Sequence, residues 1–215
     1  MYRHLDKLLA LAKKKMRTEF NRFVSFGFDE LNVINTKKVT GELFDRLMRD
    51  NEEMYLLAAK NAYSKAVKSA KREGYSGEED VIDGTLVAAV LTGYNAVTSY
   101  LYDKEADRKR MRLNEQILTA REYSDRQLYN YSLRRTANLW WTQTSQYGID
   151  MVDAATLKGY KDMGVKYVRW NAADDDRTCE ICNERDGKIY TVKTVPSKPH
   201  YGCRCYVTPV RNEEE

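Results

Sequence analysis

Residues 174–205, DDDRTCEICNERDGKIYTVKTVPSKPHYGCRC, hold all four cysteines of the chain, one of its two histidines and two of its three prolines. The donors follow the spacing C-x2-C-x17-H-x2-C-x-C through Cys179, Cys182, His200, Cys203 and Cys205. A C-x2-C pair converges on one ion from a tight turn without straining the backbone. A second pair from a distant turn then closes a four-coordinate shell. Disulfides and unliganded thiols are the competing readings of the same cysteines. Against a disulfide framework, the thiols are crowded into one short segment and the chain before it has none. A catalytic metal needs an open coordination position and a nearby base, whereas five donors for four positions favour a closed, structural zinc.

The predicted ligands are Cys179, Cys182, His200 and Cys203, for one zinc per chain. His200 and Cys203 share one H-x2-C turn. If residues 203–207 are a strand, Cys203 and Cys205 point to one face and Arg204 to the other, which keeps Cys205 as the alternative fourth ligand. Asp174, Asp175 and Asp176 stand just upstream. Consecutive residues in a strand cannot all face one cation, so an acidic turn is expected there rather than a magnesium site.

Around this stretch the pattern is that of short strands. Residues 165–170, VKYVRW, largely alternate apolar and charged side chains, and residues 188–192 and 205–208 are two further strand candidates. A β unit of about 50 residues buries little core, so a bound metal makes the difference between folded and unfolded.

Upstream the pattern is helical. The first 195 residues contain no proline, which suits a chain of long helices. Leu5, Leu8, Leu9, Ala12, Met16, Phe20, Phe23 and Val24 form one helical stripe, interrupted around Gly27. Residues 35–41 are expected to be a turn, followed by a long helix over 42–72 carrying Leu43, Leu47, Met54, Leu57, Ala58, Ala62, Ala66 and Ala70. Gly74 and Gly77 stop it, and Ser76 with Glu79 resembles a capping box opening the next helix through Val81, Ile82, Leu86, Val90 and Leu91. That helix loosens at residues 93–95. A charge-laced helix with Leu101, Ala106, Met111, Leu113, Ile117 and Leu118 follows, then a helix over 124–148 with Leu128, Tyr131, Leu133, Ala137, Trp140 and Trp141. A short helix is expected from Met151 to Gly159 or Gly164. The expected division is a helical body over 1–163, a zinc-stapled module over 164–211 and a frayed tail over 212–215.

Net charge is +4, which permits contact with nucleic acid without arguing for it. The basic groups Lys13, Lys14, Lys15 and Arg17, and Arg108, Lys109, Arg110 and Arg112, are best read as solvated helix faces. The N-terminus lacks the apolar core of a secretory signal, and no apolar run is long enough to span a bilayer. Sixteen tyrosines suit half-buried faces and interfaces.

GVKYVRWNAADDDRTCEICNERDGKIY followed by PSKPHYGCRCYVTPV resembles the C-terminal module of the phage head-morphogenesis family, the Mu F-like minor head proteins. The shared features are a strand ending in Trp170, the D-x-R-T turn of residues 175–178, Cys179 and Cys182, Asp186-Gly187 before a strand, and the approach from Pro196 and Pro199 into His200, Cys203 and Cys205. Tyr201 and Gly202 replace the proline and asparagine common in the family. Thr142, Gln143, Thr144, Ser145 and Gln146 stand where the family has a T-E-x-x helix, and residues 94–98 also resemble its middle part. The resemblance implies a minor head protein of a tailed bacteriophage that binds portal, major capsid or scaffold proteins, with possible DNA contact. It implies no turnover, and a place in the head interior or portal vertex after assembly in the host cytoplasm. No appended toxin or transferase domain is expected after Val210. The alternatives are a zinc-containing DNA-binding factor and, last, a nuclease, for which His4 is the only histidine beyond the candidate ligands.

Overall fold

In the computed structural model of the chain, residues 2–91, 102–175 and 178–211 are described. Among them the protein is mostly α-helical, with six α-helices and one small antiparallel sheet near the C-terminus. The expectations for residues 93–98, Leu101, Asp176, Arg177 and 212–215 lie outside the described residues.

The first stripe forms α1 (Arg3–Val24), which buries Leu5, Leu9, Ala12, Met16, Phe20 and Phe23 and leaves Val24 exposed. After a break at Gly27 a single 3-10 turn spans Phe28–Glu30. The next helix, α2 (Val33–Arg72), begins earlier than expected, so residues 35–41 are helical and not a turn. The reason is a cap: the Asn32 side chain accepts from the Ile34 and Asn35 amides at 3.0 Å each. Thr40 then returns its hydroxyl to the Thr36 carbonyl at 2.8 Å, which lets a polar β-branched residue sit buried in the helix.

At the other end of α2, Gly74 adopts φ +78. Its amide bonds the Lys71 carbonyl while the Tyr75 amide bonds that of Ala70, a Schellman stop. The predicted capping box at Ser76 does not form. Residues 75–83 carry no helix, and α3 spans only Gly84–Leu91, capped by Asp83 accepting from the Thr85 amide at 2.8 Å. Close packing overrides the local signal here. A Cβ on Gly77 would lie 2.1 Å from the Asp162 carbonyl oxygen, so this segment packs directly on the backbone at Asp162 and Met163. The Asp80 amide donates to the Tyr63 hydroxyl at 2.6 Å, fixing the same loop.

The charge-laced segment is α4 (Tyr102–Glu122), with Ala106, Leu113 and Ile117 buried and Met111 exposed. Residues expected to form two helices form one, α5 (Arg126–Asp162), which passes through Gly148 without a break. Mid-helix glycine costs about 1 kcal/mol against alanine, too little to end a helix whose flanking turns bury Trp140, Ile149, Met151, Val152 and Ala155. Gly164 at φ +71 ends it by the same Schellman pattern, with the Val165 amide on the Tyr160 carbonyl at 2.9 Å.

The strands are β1 (Tyr167–Asn171), β2 (Ile189–Thr191) and β3 (Tyr206–Val210), in order β2-β1-β3 and all antiparallel. Val168 pairs with Pro209 and Trp170 with Val207, so one face of the sheet is buried. Pro209 is compatible with the ladder because β3 is an edge strand. A sixth helix, α6 (Glu180–Arg185), lies between β1 and β2.

Two compact units emerge from this chain, one made of Met1–Asp6, Tyr55–Val90 and Gln146–Glu215, the other of Lys7–Met54 and Leu91–Ser145. The unit that holds the sheet also includes parts of α2 and α5. In that unit Tyr75 and Tyr160 donate to the Val210 and Val207 carbonyls of β3, at 2.8 and 3.2 Å. In the other unit Asn51 is buried and donates to the Tyr102 hydroxyl at 3.0 Å and the Thr144 hydroxyl at 2.9 Å. The tyrosines thus anchor elements through their hydroxyls while burying their rings.

Candidate metal centre

Cys179 stands at the N-terminal boundary of α6 and Cys182 lies in its first turn, fully buried. The preceding turn is closed from both sides. The Thr178 amide bonds the Asp175 carbonyl at 2.8 Å, and the Asp175 amide bonds the Thr178 hydroxyl at 3.0 Å. Asp175 therefore serves the turn, as expected. The Asp186-Gly187 pair acts locally too: the Asp186 carboxylate accepts from the Ala172 amide at 2.7 Å, and Gly187 supplies φ +74. His200 opens a turn in which Gly202 takes φ +72 and the Cys203 amide returns to the His200 carbonyl at 3.3 Å. Residues 203–205 precede β3 instead of belonging to it, yet Cys203 and Cys205 are both 1% exposed.

These elements bring all five predicted donors into two overlapping groups. Cys179, Cys182 and His200 form one and Cys182, Cys203 and Cys205 the other, with ligand atoms in each group within 4.8 Å of one another. Cys182 is common to both. Its Sγ lies 3.8 Å from His200 Nε2 and 3.6 Å from Cys203 Sγ. Ligand atoms placed tetrahedrally at Zn–S and Zn–N bond lengths are about 3.3–3.8 Å apart, and both separations from Cys182 have that length, but neither group brings His200 or Cys179 together with Cys203. His200 Nδ1 faces the Tyr201 carbonyl at 3.0 Å. A carbonyl only accepts, so the proton sits on Nδ1 and the Nε2 lone pair is left for a metal.

The electrostatics agree with a cation site. The backbone amide of Cys182, then its side chain, and then the Ile181 amide hold the Cys179 thiol below its ordinary range. Burial pushes the Cys182 and Cys203 thiols up. As thiolates these buried sulfurs need a compensating charge, and a coordinated cation supplies it. The donor set of soft sulfurs and one imidazole suits zinc better than magnesium or calcium.

A polar cluster that the sequence did not point to surrounds the ligand loop. Gln146 of α5 accepts from the Gly202 amide at 2.8 Å and donates to Asp150 at 2.8 Å. Tyr2, Asp6, Asp153, Lys198 and Arg204 complete it. Only the family-like position of Gln146 gave any local signal, because the other partners are far apart in the chain.

Asp150 is pushed up to about 6, first by burial, against the hydrogen bond from Gln146 and with Asp153 adding to the rise. A folded pKa above the unfolded value of 3.8 means that the stability linked to this carboxyl is complete below about pH 4 and lost as pH rises through about 6. Asp150→Asn is therefore expected to match the parent near pH 4 and to exceed it by about 1–3 kcal/mol near pH 7.5. Urea unfolding of both chains at the two pH values measures the difference.

The basic clusters are largely engaged on the surface. Lys15 pairs with Asp50 at 3.1 Å, and Lys13 lies over the Trp141 ring at 5.0 Å. Arg108 and Lys109 pair with Glu105, and Arg110 pairs with Asp107. Among the described residues no helix is long and apolar enough to cross a membrane.

Fold and site together define a mostly helical protein whose C-terminal sheet accompanies a cysteine/histidine group able to hold a metal ion. Residues 119–208 match the family model described as Phage Mu protein F like protein, a segment that contains α5, β1 and all five donors. Over this segment the chain is similar to the phage Mu protein F-like family. No curated protein and no solved structure matches the chain.

Proposed function

We propose that the protein is a minor head protein of a tailed bacteriophage, acting by protein–protein binding in head morphogenesis and in genome packaging or delivery. The observation that carries this reading is the family match over residues 119–208, which contains the donor cluster and most of the sheet. The partners are portal, major capsid or scaffold proteins, and the place of action is the head interior or the portal vertex.

One structural zinc per chain is held by Cys179, Cys182, His200 and Cys203, with Cys205 as the alternative fourth ligand. Support for Cys203 comes from its sulfur lying 3.6 Å from that of Cys182, which is also the neighbour of His200. The ion neutralises the buried thiolates and cross-links α6 to the loop before β3. Chemistry at the ion is not part of the role: four protein donors leave no open position.

Mass spectrometry of purified heads from a phage encoding the protein tests the reading. The expected result is a few copies per head, lost together with infectivity when a stop codon interrupts the gene. Complete, infectious heads without the protein overturn the proposal.

A further inference from the structure

The segment 198–205 carries three of the five donors, and it is held in place by Tyr2, just before α1, and by Asp6 in the first turn of α1. Lys198 Nζ lies 2.6 Å from Asp153 Oδ2 on α5 and also donates to the Tyr2 hydroxyl. The Tyr2 hydroxyl donates to Asp153 Oδ1 at 2.5 Å, with the Cys205 carbonyl 3.2 Å away as a second acceptor. Tyr2 is buried, and the Lys198 and Arg204 cations sit over its ring at 4.6 and 5.3 Å. Arg204, between the donors Cys203 and Cys205, makes a two-pronged pair with Asp6, one contact at 3.0 Å.

A largely buried Lys–Asp pair is seldom more stable than apolar side chains of the same volume, so its value lies in fixing one arrangement. Here the arrangement fixed is that of the ligand loop. With Arg204 drawn to Asp6, the thiols on either side of it face inward, and both are buried. Gln146 holds the same loop at Gly202 from the α5 side.

We propose that Tyr2 and Asp6 are positioning residues of the metal centre: together they latch the loop bearing His200, Cys203 and Cys205 against α5, and retention of the ion depends on that latch. This rests on the metal reading given under Proposed function. Outer partners of this kind set ligand orientation, and their loss commonly weakens metal binding about 10- to 100-fold. The coupling is reciprocal, so metal binding in turn protects residues 2–6.

The test uses the full chain as wild type, Tyr2→Phe, Asp6→Asn and, as a control, Tyr63→Phe. The control removes a hydroxyl that bonds Asp162 and lies outside this cluster. Zinc per chain, the rate of zinc transfer to an excess of colorimetric chelator, and amide exchange at Asp6, Gly202 and Cys203 are measured. Tyr2→Phe and Asp6→Asn are expected to bind one zinc and release it about tenfold faster, with faster exchange at Gly202 and Cys203. Tyr63→Phe keeps the wild-type release rate, and zinc slows exchange at Asp6 in the wild type.

Wild-type release and exchange in both latch variants overturn the latch, as does equal acceleration in Tyr63→Phe. A wild-type chain that takes up no zinc overturns the metal reading instead. The latch is then judged by exchange alone: unchanged protection of Gly202 and Cys203 in Tyr2→Phe overturns it, and lost protection supports it as a clamp on the loop.

Discussion

Cys182→Ser is expected to abolish zinc binding and to unfold the β1–β3 sheet with its ligand loops. Cys182 is the donor shared by both groups and has no exposed surface, so no other thiol replaces it in place. Apparent zinc binding contributes about 10–16 kcal/mol in small zinc domains at neutral pH, far more than a short sheet supplies from its own core. Metal analysis by mass spectrometry and NMR dispersion of the sheet amides measure the two effects. Cys203→Ala is expected to behave in the same way, whereas Cys205→Ala keeps one zinc and a folded sheet. A Cys182→Ser chain with full zinc content and native amide dispersion contradicts the structural-zinc reading.

Trp140→Ala is expected to destabilise the unit formed by Lys7–Met54 and Leu91–Ser145 by about 3–5 kcal/mol, the usual cost of emptying a large aromatic site. Trp140 is 1% exposed. Its ring meets Phe44 edge-on at 5.4 Å and Tyr102 at 5.7 Å, so removal leaves a cavity bounded by aromatic faces from α2 and α4. Trp140→Phe is expected to cost less than its lost volume suggests. It also removes an indole N–H that is buried with no partner among the described residues. Denaturant unfolding of the two variants against wild type reads both numbers, and a loss below about 1 kcal/mol for Trp140→Ala contradicts the packing described.

Much of the architecture is written in short-range pattern. The stripe from Leu5 to Phe23 predicts α1 because apolar side chains spaced three and four apart share one helix face, and that face is the buried one. Gly74 and Gly164 are legible as stops because a left-handed residue is needed there and glycine supplies it without a Cβ clash. The alternation in residues 165–170 marks β1. The cysteine and histidine spacing picks out five donors that the structure brings into two groups sharing Cys182: the C-x2-C pair converges within a single turn, whereas His200 and Cys203 fall in different groups.

Long-range contacts decided the rest. Gly148 looks like a break until the helix around it is packed, and then burial of its neighbours outweighs the small propensity cost. Ser76 and Glu79 look like a cap until Gly77 is set against the Asp162 carbonyl, so closely that a Cβ there would clash. Residues 35–41 are the exception, a local one: the Asn32 side chain caps α2 three residues earlier. Nothing in the pattern around Tyr2 or Asp6 announces a role at the metal loop, because hydrogen bonds across nearly the whole chain leave no periodic trace. Periodicity and ligand spacing are properties of neighbours and survive in the bare sequence. Close approach, burial and the pairing of distant charges exist only once the chain has folded.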